Sequence, residues 1–115
     1  MKLTLNRTEE EKAGMFKKST VYHLDVNLEV MPEEMALIKK HKWDDLPFCE
    51  GMFLASRVID FNVGNVVGKA QRFSFKSVNE LAAVEQQVIE NSKKLKQQLE
   101  AAGGFTSGGP REIEL

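Results

Sequence analysis

Residues 22–30 alternate without a break: Tyr22, Leu24, Val26, Leu28 and Val30 are apolar or aromatic, and His23, Asp25, Asn27 and Glu29 between them are polar. Successive side chains of a β-strand point to opposite faces, so this pattern is a strand with one face on a core and the other in water. Such a strand belongs to an antiparallel sheet, because parallel sheets are covered on both faces and read as continuous apolar runs. Leu3 and Leu5 flank Thr4 in a shorter version of the pattern, which makes residues 2–7 the predicted partner strand. The connection between them admits two readings. Thr8 and Glu11 have capping-box spacing for a helical turn, and the same stretch, Thr8-Glu9-Glu10-Glu11-Lys12, equally suits a wide polar connection leading into a longer hairpin.

The chain leaves this strand at Met31-Pro32-Glu33-Glu34. Proline suits the first helical position and glutamates suit the positive end of the helix dipole, so a helix is predicted here. It carries Met35, Ala36, Leu37 and Ile38 and finishes on Lys39, Lys40, His41 and Lys42, cations placed where the last carbonyls lack partners. Trp43 then closes the helix against the core, and Asp44-Asp45-Leu46-Pro47 reads as a loop. Residues 52–61 and 66–75 are rich in aromatic and β-branched types, which predicts a hairpin turning at Asn62-Val63-Gly64-Asn65, with Phe73 and Phe75 on one face and Gly68 at a bulge. Ser77 and Glu80 cap a long helix. Its apolar face is Val78, Leu81, Val84, Val88, Ile89, Leu95, Leu99 and Ala102, and Gly103-Gly104 ends it. The order strand, strand, helix, strand, strand, helix (ββαββα) predicts an α+β fold: a four-stranded antiparallel sheet with two helices packed on one face.

A chain of 115 residues, 42% hydrophobic and 29% charged, has the size and composition of one globular domain. Residues 1–103 are expected to form it, and 104–115, which open on Gly104-Phe105-Thr106-Ser107-Gly108-Gly109-Pro110, to be a flexible tail. A helix of about 25 residues is roughly 37 Å long, against about 20 Å for a six-residue strand. The helix outruns its sheet, which leads to the expectation of a homodimer through Leu95, Leu99 and Ala102 or through an open sheet edge.

Composition excludes several classes. Sixteen basic against seventeen acidic residues leave a net charge of −1, so no overall field draws the molecule to nucleic acid or anionic lipid. One cysteine permits no internal disulfide, and two histidines give no zinc-ligand spacing. No apolar run exceeds four residues, the length reached at 35–38 and 52–55 among others, whereas a bilayer-spanning helix needs about 20. With no signal-peptide pattern at the start of the sequence, a reducing cytoplasm is the expected location and no membrane association is expected.

The residues that could carry chemistry are few. Cys49 would need a base, His23 or His41, to act as a nucleophile, and no nucleophile signature surrounds it. His23 and Asp25 share a strand face and supply two of the three or four ligands a metal needs. Lys39, Lys40, Lys42 and Trp43 combine charge with an aromatic ring, as single-stranded nucleic-acid binders do, although a complemented helix end anchored by Trp43 accounts for the same residues. Asp25 and Glu29 on the polar face of the strand would repel phosphates from an open sheet. Glycine-rich phosphate loops and serine elbows are absent from the sequence.

The segment Val21-Tyr22-His23-Leu24-Asp25-Val26-Asn27-Leu28-Glu29-Val30-Met31-Pro32-Glu33-Glu34, with Met35 to Lys40 after it, resembles short uncharacterised bacterial proteins of accessory or mobile-element type. That resemblance lies in a strand-to-helix junction and implies no activity and no site residue. The sequence therefore reads as a non-catalytic binding module, a homodimer with a protein partner still to be identified and no cofactor. A nucleic-acid accessory protein acting through Lys39, Lys40, Lys42 and Trp43 is the first alternative. An enzyme with a site near Cys49 is the second.

Overall fold

The computed structural model describes residues 1–54 and 57–102, with side chains described for 1–49 and 59–102. In chain order the elements are β1 (Lys2–Ala13), β2 (Lys18–Glu29), α1 (Pro32–His41), a 3-10 turn at Trp43–Asp45, β3 (Pro47–Leu54), β4 (Arg57–Asn62), a single helical turn α2 (Val63–Val66), β5 (Gln71–Phe75) and α3 (Val78–Ala102). The fold is α+β with antiparallel sheets. The predicted tail, 104–115, lies outside the described residues.

The alternation at 22–30 produces the element it predicts. Leu24, Val26 and Leu28 are 0% exposed, and β2 is the centre of a three-stranded sheet ordered β1-β2-β5. Leu3 and Leu5 of β1 face Leu28 and Val26 across the ladder, and Phe73 and Phe75 of β5 face Leu24 and Tyr22. All of these lie on one face of the sheet, and all belong to a single hydrophobic cluster or pack against it. The two open readings at Thr8–Lys12 resolve to the longer hairpin: the ladder runs unbroken from Lys2↔Glu29 to Ala13↔Lys18.

α3 packs on β2, β5 and β3. The Ser77 hydroxyl accepts from the Glu80 N–H at 3.2 Å, which is the predicted cap. Leu81, Val84, Val88, Leu95 and Leu99 are buried, but Val78 is exposed at the open end of the helix and Ser92 takes an inward place instead. A polar residue is tolerated there because the Ser92 hydroxyl donates to the Val88 carbonyl at 2.7 Å.

The single four-stranded sheet is not formed. β3 pairs with β4 in a separate two-stranded sheet, and β5 pairs with β2. The cause is local. Asn62-Val63-Gly64-Asn65, read as a hairpin turn, winds into α2: the Asn62 N–H donates to Asn65 Oδ1 at 2.8 Å, and Val63 and Val66, three apart, are both buried. Gly68 follows at φ +71 in a turn rather than a bulge, and its N–H donates to the Leu28 carbonyl at 2.9 Å, which delivers β5 to the edge of β2. β3 also starts earlier than predicted, so Pro47 and Cys49 are strand residues rather than loop residues, with register shifts between Pro47 and Cys49 and between Cys49 and Met52. The two sheets meet through aromatic rings: Phe61 of β4 stacks on Phe73 of β5 at 4.3 Å, and Phe48 of β3 tilts against Phe61 at 6.4 Å.

Candidate functional site

Two faces of one ribbon define the site. β5 accompanies β2 only from Tyr22 to Val26, so the far half of the β1–β2 hairpin continues as a two-stranded arm. Residues 9–19 are exposed throughout. Its ladder ends at Ala13↔Lys18, and the Gly14 N–H donates to the Lys17 carbonyl at 2.9 Å to close the turn. Met15 and Phe16 sit at the apex, 92% and 96% exposed, the most exposed of the large hydrophobic side chains described. Lys12 precedes them and Lys17 and Lys18 follow them in the chain, and no acidic residue occurs between 12 and 20.

The arm is tied to the body on the outer face of the sheet. Thr8, His23 and Ser74 stand in one row across the three strands, and Asn6, Asp25 and Arg72 in the next. His23 is 8% exposed. Its Nε2 lies 2.9 Å from Glu10 Oε2 and its Nδ1 lies 2.8 Å from Ser74 Oγ. That hydrogen bond to His23 holds the Glu10 carboxyl below its usual range, so Glu10 is an ionised acceptor and Nε2 carries the proton. In the neutral imidazole Nδ1 then accepts from the Ser74 hydroxyl. Beside it, Arg72 donates twice to Asp25, at 2.8 and 3.0 Å, and this pair lowers the Asp25 pKa. On the other face Arg7 of β1 makes a two-pronged pair with Glu85 of α3 and lowers the pKa of that carboxylate.

A serine, a histidine and a glutamate in line are the parts of an acyl-transfer relay, yet such a relay also needs donors converging on a developing oxyanion. The cation of the next row, Arg72, is occupied by Asp25. What the cluster does in this geometry is fasten Glu10, the middle residue of the acidic run Glu9-Glu10-Glu11, to the sheet.

The residues singled out in the sequence fall elsewhere. Cys49 is fully buried in β3, its thiol 3.9 Å from the Ile59 carbonyl, and burial, with Asp60 nearby, pushes its pKa up to about 11. Neither candidate base serves it: His23 is engaged by Glu10 and Ser74, and His41 stacks on Trp43 with ring centres 4.5 Å apart. His23 and Asp25 do share the outer face, but each is taken by a neighbour, and among the described residues no group of three or more His, Cys, Asp or Glu could hold a metal ion. Lys39, Lys40 and Lys42 are exposed around the end of α1, where Lys42 adopts φ 58 and its N–H reaches the Ile38 and Lys39 carbonyls. Trp43 is half-buried against the core with one indole face covered by His41, the arrangement of an anchor. No helix among the described residues is long and apolar enough to cross a membrane.

Met15 and Phe16 were not among the predicted site residues. Their signal is an adjacent apolar pair after Gly14 between Lys12 and Lys17-Lys18, and it becomes legible once the longer hairpin is chosen for 8–21. The chain matches no known family model, no curated protein and no solved structure.

Proposed function

We propose that this protein is a non-catalytic binding module whose contact element is the β1–β2 arm. One observation carries the reading: Met15 and Phe16 stand at the apex of a ribbon whose residues 9–19 are all exposed. Single exposed apolar residues are common, but an adjacent pair at a turn closed by its own hydrogen bond, clear of the core, contributes little to folding and is free to meet a partner. The geometry of Cys49 supports an inert core thiol rather than a nucleophile, and the covered face of Trp43 argues against base stacking at the lysine cluster. The homodimer expected from the length of α3 draws no support from that length, since Leu95 and Leu99 are buried within one chain and α3 lies against β3.

The test is site-specific photo-crosslinking in living cells that produce the protein. A photoreactive phenylalanine analogue replaces Phe16, and the same analogue at Lys40, exposed on the body, serves as the control. Adducts formed at position 16 and not at position 40 are expected, and adducts joining two copies of the chain would make the homodimer the mode of binding. Equal or no labelling at the two positions overturns the arm as contact element.

A further inference from the structure

We infer that the partner of the arm is an anionic lipid surface: Met15 and Phe16 enter the interfacial layer of a bilayer, and Lys17 and Lys18 meet the acidic headgroups. This rests on the arm being the contact element. Three features on the page select this occupant. The apolar pair is almost fully exposed at the end of the arm, so it can enter a soft, deformable acceptor, and a bilayer interface is one. Lys17 and Lys18 follow the pair directly in the chain, with no acid between 12 and 20, the combination of apolar side chain and cations that binds lipids of negative charge. Glu11 and Glu9 lie two and four residues below the end of the ladder at Ala13, roughly 7–13 Å at about 3.3 Å per residue, and further still from the apex. A Debye length of about 8 Å at physiological salt screens that run from a surface touching only the apex.

The same acidic run disfavours the nucleic-acid alternative, because a ribbon lying along a groove brings its stem as well as its tip against phosphates, and Glu9, Glu10 and Glu11 would face them. A second copy is disfavoured by like charge. The cleft lined by Leu46, Pro47, Val63 and Leu95 is also lined by Asn91, Gln98 and Lys94, and Lys94 would oppose Lys17 and Lys18.

The deciding experiment is co-sedimentation of the full chain with vesicles of phosphatidylcholine alone and of phosphatidylcholine with 30% phosphatidylserine, at low and high salt. Binding to the serine-containing vesicles is expected, weakening steeply with salt, with little binding to the neutral ones. Phe16→Ser should lower partitioning about tenfold, and Lys17→Gln with Lys18→Gln by tenfold or more. None of these side chains lies in the core, so circular dichroism should show the variants folded. Vesicle binding that Phe16→Ser leaves unchanged overturns the proposal, as does retention by duplex DNA with the same dependence on the tip. If no vesicle binding occurs while position 16 still crosslinks to protein in cells, the lipid is wrong and the arm reading stands. If neither occurs, both fail.

Discussion

One pair of strands behaves in two ways along its length. From Tyr22 to Leu28, β2 lies between β1 and β5 or against the core, and its apolar residues are sealed. From Ala13 to Glu9 on β1 and across Lys18 and Ser19 on β2 the backbone ladder is the same, yet every residue is exposed. Hydrogen-bond pairing continues where burial stops, which shows that pairing alone carries the ribbon outward while burial holds the body. An isolated two-stranded ribbon is only marginally stable, so the part-buried ties at its root, Glu10 to His23 and His23 to Ser74, anchor it to the body. The two large apolar residues at the end of the arm are then placed for contact rather than for folding.

The sharpest way to test the contrast uses thiols. Cys49 is the protein's one cysteine, and with its pKa near 11 only about one molecule in ten thousand is a thiolate at pH 7, before its burial is counted. Replacing Met15 by cysteine puts a second thiol at the exposed apex. Reaction with an aromatic disulfide reagent should modify position 15 at the rate of a free thiol and Cys49 at least a thousandfold more slowly, until denaturant exposes it. Fast labelling at Cys49 would reopen the case for a nucleophile there.

Stability should divide the same way. Leu24→Ala, in the sealed half, should cost about 2–5 kcal/mol in urea denaturation. Phe16→Ala should change it by no more than about 0.5 kcal/mol, as surface substitutions away from caps and cores do. A large loss at Phe16 would mean that the tip packs on something in the folded chain, and the division between arm and body would be wrong.

Acid should loosen the ties between the two regions. Glu10, Asp25 and Glu85 are each held below the ordinary carboxylate range by a hydrogen-bonding partner, His23, Arg72 and Arg7 respectively. A carboxylate whose folded pKa is depressed stabilises the fold above its unfolded value, about 4, and that contribution disappears as the pH falls through the folded value. The thermal midpoint should therefore hold from pH 7 to about 5 and drop below about 4. Glu10→Gln should remove the Glu10 share of that drop and leave the shares of Asp25 and Glu85. A midpoint that rises on acidification would contradict the sign.

What the sequence reveals follows the same line between burial and pairing. The strict alternation at 22–30 and the 3.6-residue repeat of Leu81, Val84, Val88, Leu95 and Leu99 are burial patterns, and both elements appear where they are predicted. Ser92 escapes that repeat because a hydroxyl can bond back to its own helix, a matter of local chemistry rather than hydropathy. Between 47 and 75 the apolar residues are dense enough to suit several registers, and a single pair three apart, Val63 and Val66, makes a helical turn where Gly64 and Asn65 suggest a hairpin. The choice of β2 as the neighbour of β5 is a long-range pairing that no local window contains. The site was the least legible part: Glu10, His23 and Ser74 come from three strands and meet only through register, and Met15 with Phe16 acquires meaning only when the ladder is known to run past the core.

The smallest expected effects concern the two tight turns, and they bear on the same contrast. Lys42 holds φ 58 at the end of α1, a left-handed conformation that costs a residue with a side chain free energy and persists only because the packed body enforces it. Lys42→Gly should raise global stability by about 0.5–1 kcal/mol, the conformational relief being partly offset by the greater freedom of the unfolded chain. Gly14 is constrained differently: a methyl group there would come within 2.6 Å of the Lys17 carbonyl oxygen, so Gly14→Ala must deform the turn that presents Met15 and Phe16. Because the arm adds nothing to the core, that deformation should leave the urea midpoint almost unmoved and appear only in arm amide shifts and in tip-dependent binding. If Gly14→Ala instead lowers the midpoint as much as Lys42→Gly raises it, arm and body unfold as one cooperative unit, and the ladder rather than the buried layer sets the limits of that unit.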